Sequence, residues 1–400
     1  MTPNGAGLKM SKTSKYLLTA IATGAALTAA ACTSWMIHPS VSASGRMIVH
    51  KCRDNRVGPL DADILHSPHG VKWMRLGSNK EALFAVSELG IATVMNDGDP
   101  MTLVHPGNRD KLKEPRMWTS CGSLARQVMD QCTTSEQAAK LALHYSRSWI
   151  KGAHGNSIFV ADAKRAFMID AGPGYAEARE LTGGICIITN CMHFPGIETY
   201  STRSVGALRS DRAREANVRA WLRKTQVDGK YTIRGVIATS RMRCQGKYSQ
   251  KFPCRKNSLS GVCFEIDPEF PAQLTTAYVA LGPQQHTIYL PTPMALEQFP
   301  DFIRNGGWSK MAYELRKREG YDHRYLARFV ELEDRLFAEY DHVREEAREL
   351  LRSGKKAEAE KLLNDCYARQ YEMALKLLRE VDAHSLAHPL DPRQRLDAAY

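Results

Sequence analysis

Most features that would classify this chain at a glance are missing. After residue 40 there is no run of about eighteen apolar residues, which excludes a multi-span membrane protein. No internal repeat of about 20–50 residues is visible, so a solenoid is excluded. The ten cysteines include no Cys-x-x-Cys, so a zinc ribbon or a thioredoxin-type motif has no support. Gly-x-Ser-x-Gly, His-Glu-x-x-His and Walker A motifs are all absent. No nucleic-acid-binding signature accompanies the net charge of +12. The 55 Lys+Arg are interleaved with 43 Asp+Glu and read as a solvated surface.

What is present fits a globular chain. Its 400 residues allow two or three domains, or one large domain with an appendage. With 43% hydrophobic and 24% charged residues it can build a sizeable core. Two local patterns carry no chemistry. Gly172–Ala178 (GPGYAEA) fits a dinucleotide fingerprint after a strand, but the next strand ends in Asn190 with no acid for a ribose, so it reads as a turn. His66 and His69 have no third ligand nearby and read as a polar loop.

Residues 1–31 have the form of an export signal. Lys9, Lys12 and Lys15 precede an apolar stretch, Tyr16 to Leu27, and Ala29-Ala30-Ala31 ends it with small residues. Cleavage after Ala31 would make Cys32 the first residue of the mature chain. Its free α-amine, with an intrinsic pKa of about 7.7–8.0, could then serve as the base for its own thiol. The alternative is lipid modification of Cys32, which consumes the sulfur and excludes that role. A lipobox prefers Leu three residues before the cysteine, where this chain has Ala29.

From Cys32 onward, short strands are expected at Ser34–His38, Arg46–Lys51, Val71–Leu76, Ala82–Ser87 and Ile91–Asn96. Helices follow at Leu124–Gln131 and Ser135–Trp149, then strands at Ser157–Ala161, Ala166–Asp170 and Ile185–Thr189. A basic helix over Arg203–Arg223 precedes strands at Gly261–Ile266, Leu274–Ala280 and Thr287–Leu290. Clusters of strands, then helices, then strands indicate an α+β sandwich. Leu326 to Val343 and Leu362 to Val381 carry helical apolar stripes broken at Ser353-Gly354, an αα-hairpin. The expected organisation is a leader over 1–31, a main domain over 32–315, the hairpin over 316–383 and a tail over 384–400. Cys121 with Cys132, and Cys244 with Cys254, are conceivable disulfides, with connectivity open.

Candidate chemistry gathers at strand ends. Asp54 closes the strand expected to pair with the one that starts at Cys32, where a carboxylate can hold a charged α-amine. Asn96 and Asn190 end two further strands, where side-chain amides can donate to an oxyanion or position the amine.

With these pieces in place the chain resembles the N-terminal-nucleophile (Ntn) hydrolases of the linear-amide class. They include the choloylglycine hydrolases, the penicillin-acylase-type and isopenicillin-N acyltransferase-type enzymes and the exported dipeptidases. The resemblance runs from Cys32 to Pro293. It is carried by ACTS at Ala31–Ser34, MIVHKCRD at Met47–Asp54, ELGIATVMNDGD at Glu88–Asp99, GNSIFVADAKRAFMID at Gly155–Asp170, IITN at Ile187–Asn190 and NSLSGVCFEID at Asn257–Asp267. It implies a four-layer αββα sandwich. It implies Cys32 as nucleophile, Asp54 as the acid orienting the α-amine, and Asn96 and Asn190 as oxyanion and amine-positioning residues. Arg212 or Arg209 would match a late active-site arginine, with Arg209 as a substrate contact. Lys51 stands where the family usually has a substrate-side Arg.

The implied activity is hydrolysis of a small linear amide, or acyl transfer from it, through an acyl-enzyme. No metal or organic cofactor is required, and the partner is a small-molecule amide. The leader implies an exported, periplasmic or extracellular protein, with membrane contact only through the leader or a lipid anchor. One competing expectation is a lipid-anchored, non-catalytic Ntn-like fold. Another is an enzyme of a different type that pairs a buried Cys with one of the 13 histidines. Cys32 could also be exposed autocatalytically.

Overall fold

The structure, a computed structural model, describes residues 32–400 except 55–58, 79–80, 101–120, 148–153, 173–174, 195–204, 244–248, 250, 321–323 and 391–400. The expected leader therefore lies outside the described residues, as does Cys244.

Strand β1 (Thr33–Ile37) starts immediately after Cys32. The turn that follows uses Gly45 at φ 66°, a left-handed position that suits glycine, and leads into β2 (Met47–Asp54). The two pair antiparallel, Thr33 opposite Cys52 and Ser34 opposite Lys51. The chain then leaves this sheet and lays down β3 (Asp61–His66), β4 (Lys72–Ser78), β5 (Glu81–Ser87), β6 (Ala92–Pro100), β7 (His154–Ala161), β8 (Ala166–Gly172) and β9 (Tyr175–Glu180). These seven strands form an antiparallel meander in sequence order. The chain returns through β10 (Ile185–Ile188), which pairs with the free edge of β1. Strands β11 (Ser258–Ile266), β12 (Thr276–Leu281) and β13 (Leu290–Pro293) complete the other sheet, in the order β10-β1-β2-β11-β12-β13.

Both faces of the inner strands of the meander are buried, so these strands alternate between two cores rather than between core and water, while the edge strands β3 and β9 are partly exposed. Val94, Phe159 and Ala161 point into the larger core, while Met95, Ile158 and Val160 point into a second one. Helices α1 (Cys121–Gln131) and α2 (Ser135–Arg147) close that second core with Leu124, Val128, Ala138 and Ala142. On the other sheet, α3 (Val205–Lys224) packs on β10, and α4 (Ile233–Ser240) packs on β2 and β11. Strand β6 meets β1 and β2 across the interior. Helix, sheet, sheet and helix thus follow one another in the expected four layers.

A short helix, α5 (Pro271–Leu274), joins β11 to β12, and another, α6 (Asp301–Arg304), leads from β13 to α7 (Gly307–Glu319). The hairpin follows as α8 (Leu326–Arg352) and α9 (Lys356–Ala387), turning at Gly354 with φ 76°. It starts later than residue 316 because α7 is a separate helix, and it runs past 383 to Ala387. Among the described residues no helix is long and apolar enough to cross a membrane. Cys132 and Cys254 carry free thiols.

Candidate active site

Cys32 is fully buried at the head of β1, with Sγ 3.9 Å from the Asp54 carbonyl oxygen. Asp54 ends β2 opposite Ser258 of β11. Its Oδ1 accepts a 2.6 Å hydrogen bond from Ser258 Oγ. Its Oδ2 lies 3.6 Å from Arg255 Nε and accepts no hydrogen bond. Burial pushes this carboxyl above the usual carboxylate range, and Arg255, Ser258, Arg214 and Lys51 offset that only in part. Burial likewise pushes the Arg255 guanidinium down to about 10, against the opposing pull of Asp54.

Lys51 and Ser34 face each other across β1 and β2, so both point to the same side, towards β6. Lys51 Nζ donates to the Met95 carbonyl at 2.6 Å and to Asn96 Oδ1. Ser34 Oγ donates to the same Oδ1 at 2.7 Å. Asn96 Nδ2 in turn donates to the carbonyls of Ile188 and Thr189, both at 3.0 Å. Asn96 therefore ties β6 to the end of β10, and both of its amide hydrogens are engaged. The opposite faces of the same strands bring Trp35 and His50 into a stack with ring centroids 3.9 Å apart.

Asn190 lies two residues beyond β10, on the segment that the β1–β10 register carries towards the level of Cys32. Its Oδ1 accepts a 3.0 Å hydrogen bond from Arg214 Nη2, which also donates to Asp211 Oδ1 at 2.6 Å. That contact fixes which end of the Asn190 amide is the donor.

Of the sequence candidates, Cys32, Lys51, Asp54, Asn96 and Asn190 converge in this buried region. Arg209 does not, because it faces outward on α3. Arg212 is half-exposed and pairs with Glu215 at 3.1 Å. The arginine that α3 turns inward is Arg214, which is wholly buried. The helical phase carries the signal for it. Asp211, Arg214, Val218 and Leu222 form the buried stripe, and Arg214 sits four residues before Val218. Arg255 and Ser258 were also missed: Ser258 lies within the Asn257–Asp267 stretch that carries the resemblance but was not singled out there, and nothing in the local sequence marks Arg255. The other buried thiols are poor nucleophiles: burial pushes Cys254 up to about 12 and Cys191 likewise to about 12. Among the described residues, one group of metal-ligand type lies next to this region, formed by Cys191, His193 and Glu215.

No protein-family model matches the chain, and no curated protein matches it. Solved structures with a similar arrangement include a Caenorhabditis elegans N-acylethanolamine-hydrolyzing acid amidase ortholog. It is 11% identical, covers 60% of this chain and 95% of its own, and gives a TM-score of 0.39. Two variants of conjugated bile acid hydrolase from Clostridium perfringens are also similar. They are 9% and 8% identical, each covering 62% of this chain and 89% of its own, with TM-scores of 0.40 and 0.35. Likeness of this order assigns neither activity nor substrate.

Proposed function

We propose that this chain is a cysteine amidohydrolase of the Ntn type, cleaving a linear amide C–N bond once Cys32 has become the N-terminus. The observation that carries the reading is the unsatisfied Asp54 Oδ2. A wholly buried carboxylate oxygen without a hydrogen-bond donor is costly. An α-ammonium on the neighbouring Cys32 is the group that would satisfy it.

In the proposed reaction the α-amine of Cys32 takes the thiol proton and Sγ attacks the substrate carbonyl. Collapse of the tetrahedral adduct breaks the C–N bond, the amine returns the proton to the leaving nitrogen, and a thioester remains. Water then releases the acid and regenerates the thiol. Asn190, oriented by Arg214, donates to the oxyanion together with a backbone N–H. Asn96 and Lys51 hold the two sheets in register around it. An amine acceptor in place of water would make the same site an acyltransferase.

The test uses mature protein beginning at Cys32 and a panel of small linear amides, including N-acyl amino acids and N-acylethanolamines. Cys32→Ala is expected to abolish turnover while the circular dichroism spectrum is kept. Unchanged turnover in that variant would overturn the proposal. Full activity after selective acetylation of the α-amine would overturn the self-base mechanism.

A further inference from the structure

The segment after β10 and the inward face of α3 bring three metal-binding side chains together beside the candidate active site. Cys191, His193 and Glu215 each offer one ligand atom, and these atoms all lie within 4.8 Å of one another. Glu215 Oε1 is at the centre. It lies 2.8 Å from His193 Nε2 and 3.3 Å from Cys191 Sγ. Cys191 is buried, and His193 and Glu215 are nearly so.

We infer that Cys191 Sγ, His193 Nε2 and Glu215 Oε1 form a site for one divalent transition-metal ion of the zinc class, with water as the fourth ligand. This inference is independent of the proposed activity, and nothing in the proposed reaction uses these three groups. The donor set suits such an ion: a thiolate, an imidazole and a carboxylate are its ordinary protein ligands. The spacing fits as well. Tetrahedral bonds of about 2.3 Å to sulfur and about 2.0–2.2 Å to nitrogen and oxygen place ligand atoms about 3.3–3.6 Å apart. The sulfur-to-oxygen distance of 3.3 Å is about 0.3 Å short of the tetrahedral value, and the imidazole has to withdraw by about half an ångström to match.

The surroundings have the form of an outer shell. Asp170 lies on the far side of the imidazole, its Oδ1 3.9 Å from His193 Nδ1, which has no hydrogen-bond partner. Withdrawal of the ring would bring Nδ1–H towards that carboxylate, the usual support for a metal-bound histidine. Asp170 is itself held by a 2.6 Å hydrogen bond from Ser157 Oγ and by the backbone N–H groups of His193 and Phe194. Arg212 Nη1 occupies Glu215 Oε2 at 3.1 Å, which leaves Oε1 as the single ligating oxygen. Arg212 is the cation in contact with the group, and its charge is directed at the oxygen the metal does not need. Thr189 Oγ1 now donates to Oε1 at 2.8 Å and would have to rotate its hydrogen away.

Proton balance is simple. Binding expels the Cys191 thiol proton and the proton between His193 Nε2 and Glu215, leaving His193 neutral with its hydrogen on Nδ1. The consequence reaches the neighbouring site. Asn190 immediately precedes Cys191, and Arg214 immediately precedes Glu215. The ion would thus clamp together the two segments that present the Asn190–Arg214 hydrogen bond.

The test begins with full-length protein stripped by a chelator and titrated with Zn²⁺ or Co²⁺ alone. One equivalent per chain is expected, and the cobalt form should show a thiolate-to-cobalt charge-transfer band. X-ray absorption of the zinc form should give one sulfur at about 2.3 Å and three lighter atoms at about 2.0–2.2 Å. Cys191→Ser should remove the charge-transfer band, and His193→Gln should weaken binding at least tenfold. Absence of stoichiometric binding, a sulfur count other than one, or an unchanged band in Cys191→Ser would each overturn the inference. The absorption measurement uses the unaltered protein, so the test stands even if a variant fails to fold.

Discussion

Lys51 shows how a single residue separates two roles. Its ammonium is fully buried, and it donates to the Met95 carbonyl and to Asn96 Oδ1. A residue that contacts substrate should alter KM when truncated, whereas one that orders Asn96 should alter kcat. Lys51→Met removes a donor from the Met95 carbonyl and one of two donors to Asn96 Oδ1. Each hydrogen bond lost from a charged donor costs about 1–3 kcal/mol. The expected outcome is a protein destabilised by about that amount, with kcat reduced more than KM is raised. Steady-state kinetics with denaturant unfolding checks it, and a change confined to KM would return Lys51 to the substrate-contact role. Much at this scale was legible in the sequence. Cys32 and Asp54 were marked by position at strand ends, where a sheet presents side chains to a shared site, whereas Asn96, expected to end its strand, lies inside β6, which runs on to Pro100, and Asn190 lies two residues past β10. Arg214 was not singled out, because an arginine-rich helix offers several candidates and only its phase says which one faces in. Arg255 had no such phase to betray it.

Elements show where pattern reading succeeds and where tertiary contacts decide. Most strands around the site were legible because β-branched and apolar residues alternate between turns. Strands β3 and β9 were not. Tyr175–Glu180, YAEARE, has the composition of a helix and becomes a strand by pairing along the edge of β8. The hairpin was legible from its stripes, but its attachment was not. That attachment is ionic as well as apolar. Arg344 of α8 pairs with the buried Glu265 of β11, and Arg348 pairs with the buried Asp267 at 2.6 Å. Burial alone would raise both carboxyl pKa values, but their arginine partners, with Arg46, outweigh it and depress them. A depressed folded-state pKa means stability that is fully present above the unfolded values of about 4 and lost as pH falls through the lower folded ones. Thermal stability should therefore hold at neutral pH and fall below about pH 4. Arg344→Met leaves Glu265 with the Ser44 hydroxyl and the more distant Arg46, at 3.8 Å. It should cost about 3–5 kcal/mol at pH 7, as breaking a buried pair does. It should also move the onset of acid unfolding to higher pH. Melting curves from pH 3 to pH 8 check both, and an unshifted acid onset would exclude these pairs as the hairpin's pH-sensitive anchor.

For the whole molecule, the question is what becomes of Cys32, since hydrolase and lipid anchor require opposite fates for one sulfur atom. The fold bears on that choice. Strand β1 is flanked by β2 on one side and β10 on the other, and Cys32, Thr33 and Ser34 are all fully buried. A diacylglycerol thioether on Cys32 would have to emerge from between two layers of the sandwich, or pull the head of β1 out of its sheet. A free α-amine at the head of β1 would instead add a cation beside Asp54, whose carbonyl lies 3.9 Å from Cys32 Sγ and whose Oδ2 has no hydrogen-bond donor. The chain expressed with residues 1–31 in a bacterial host should therefore yield a mature protein that begins at Cys32 with an unmodified amine. Intact mass and N-terminal sequencing check this directly. A mass increment of a diacylglycerol with an acyl chain would remove the nucleophile and sink the hydrolase reading, whatever the fold. An uncleaved chain would refute export processing. In that case, incubating the purified chain alone would distinguish self-cleavage, which releases Cys32 at a rate independent of protein concentration, from a need for an outside peptidase. The same preparation, once it starts at Cys32, is the material for the amide panel, so processing and activity are tested on one molecule.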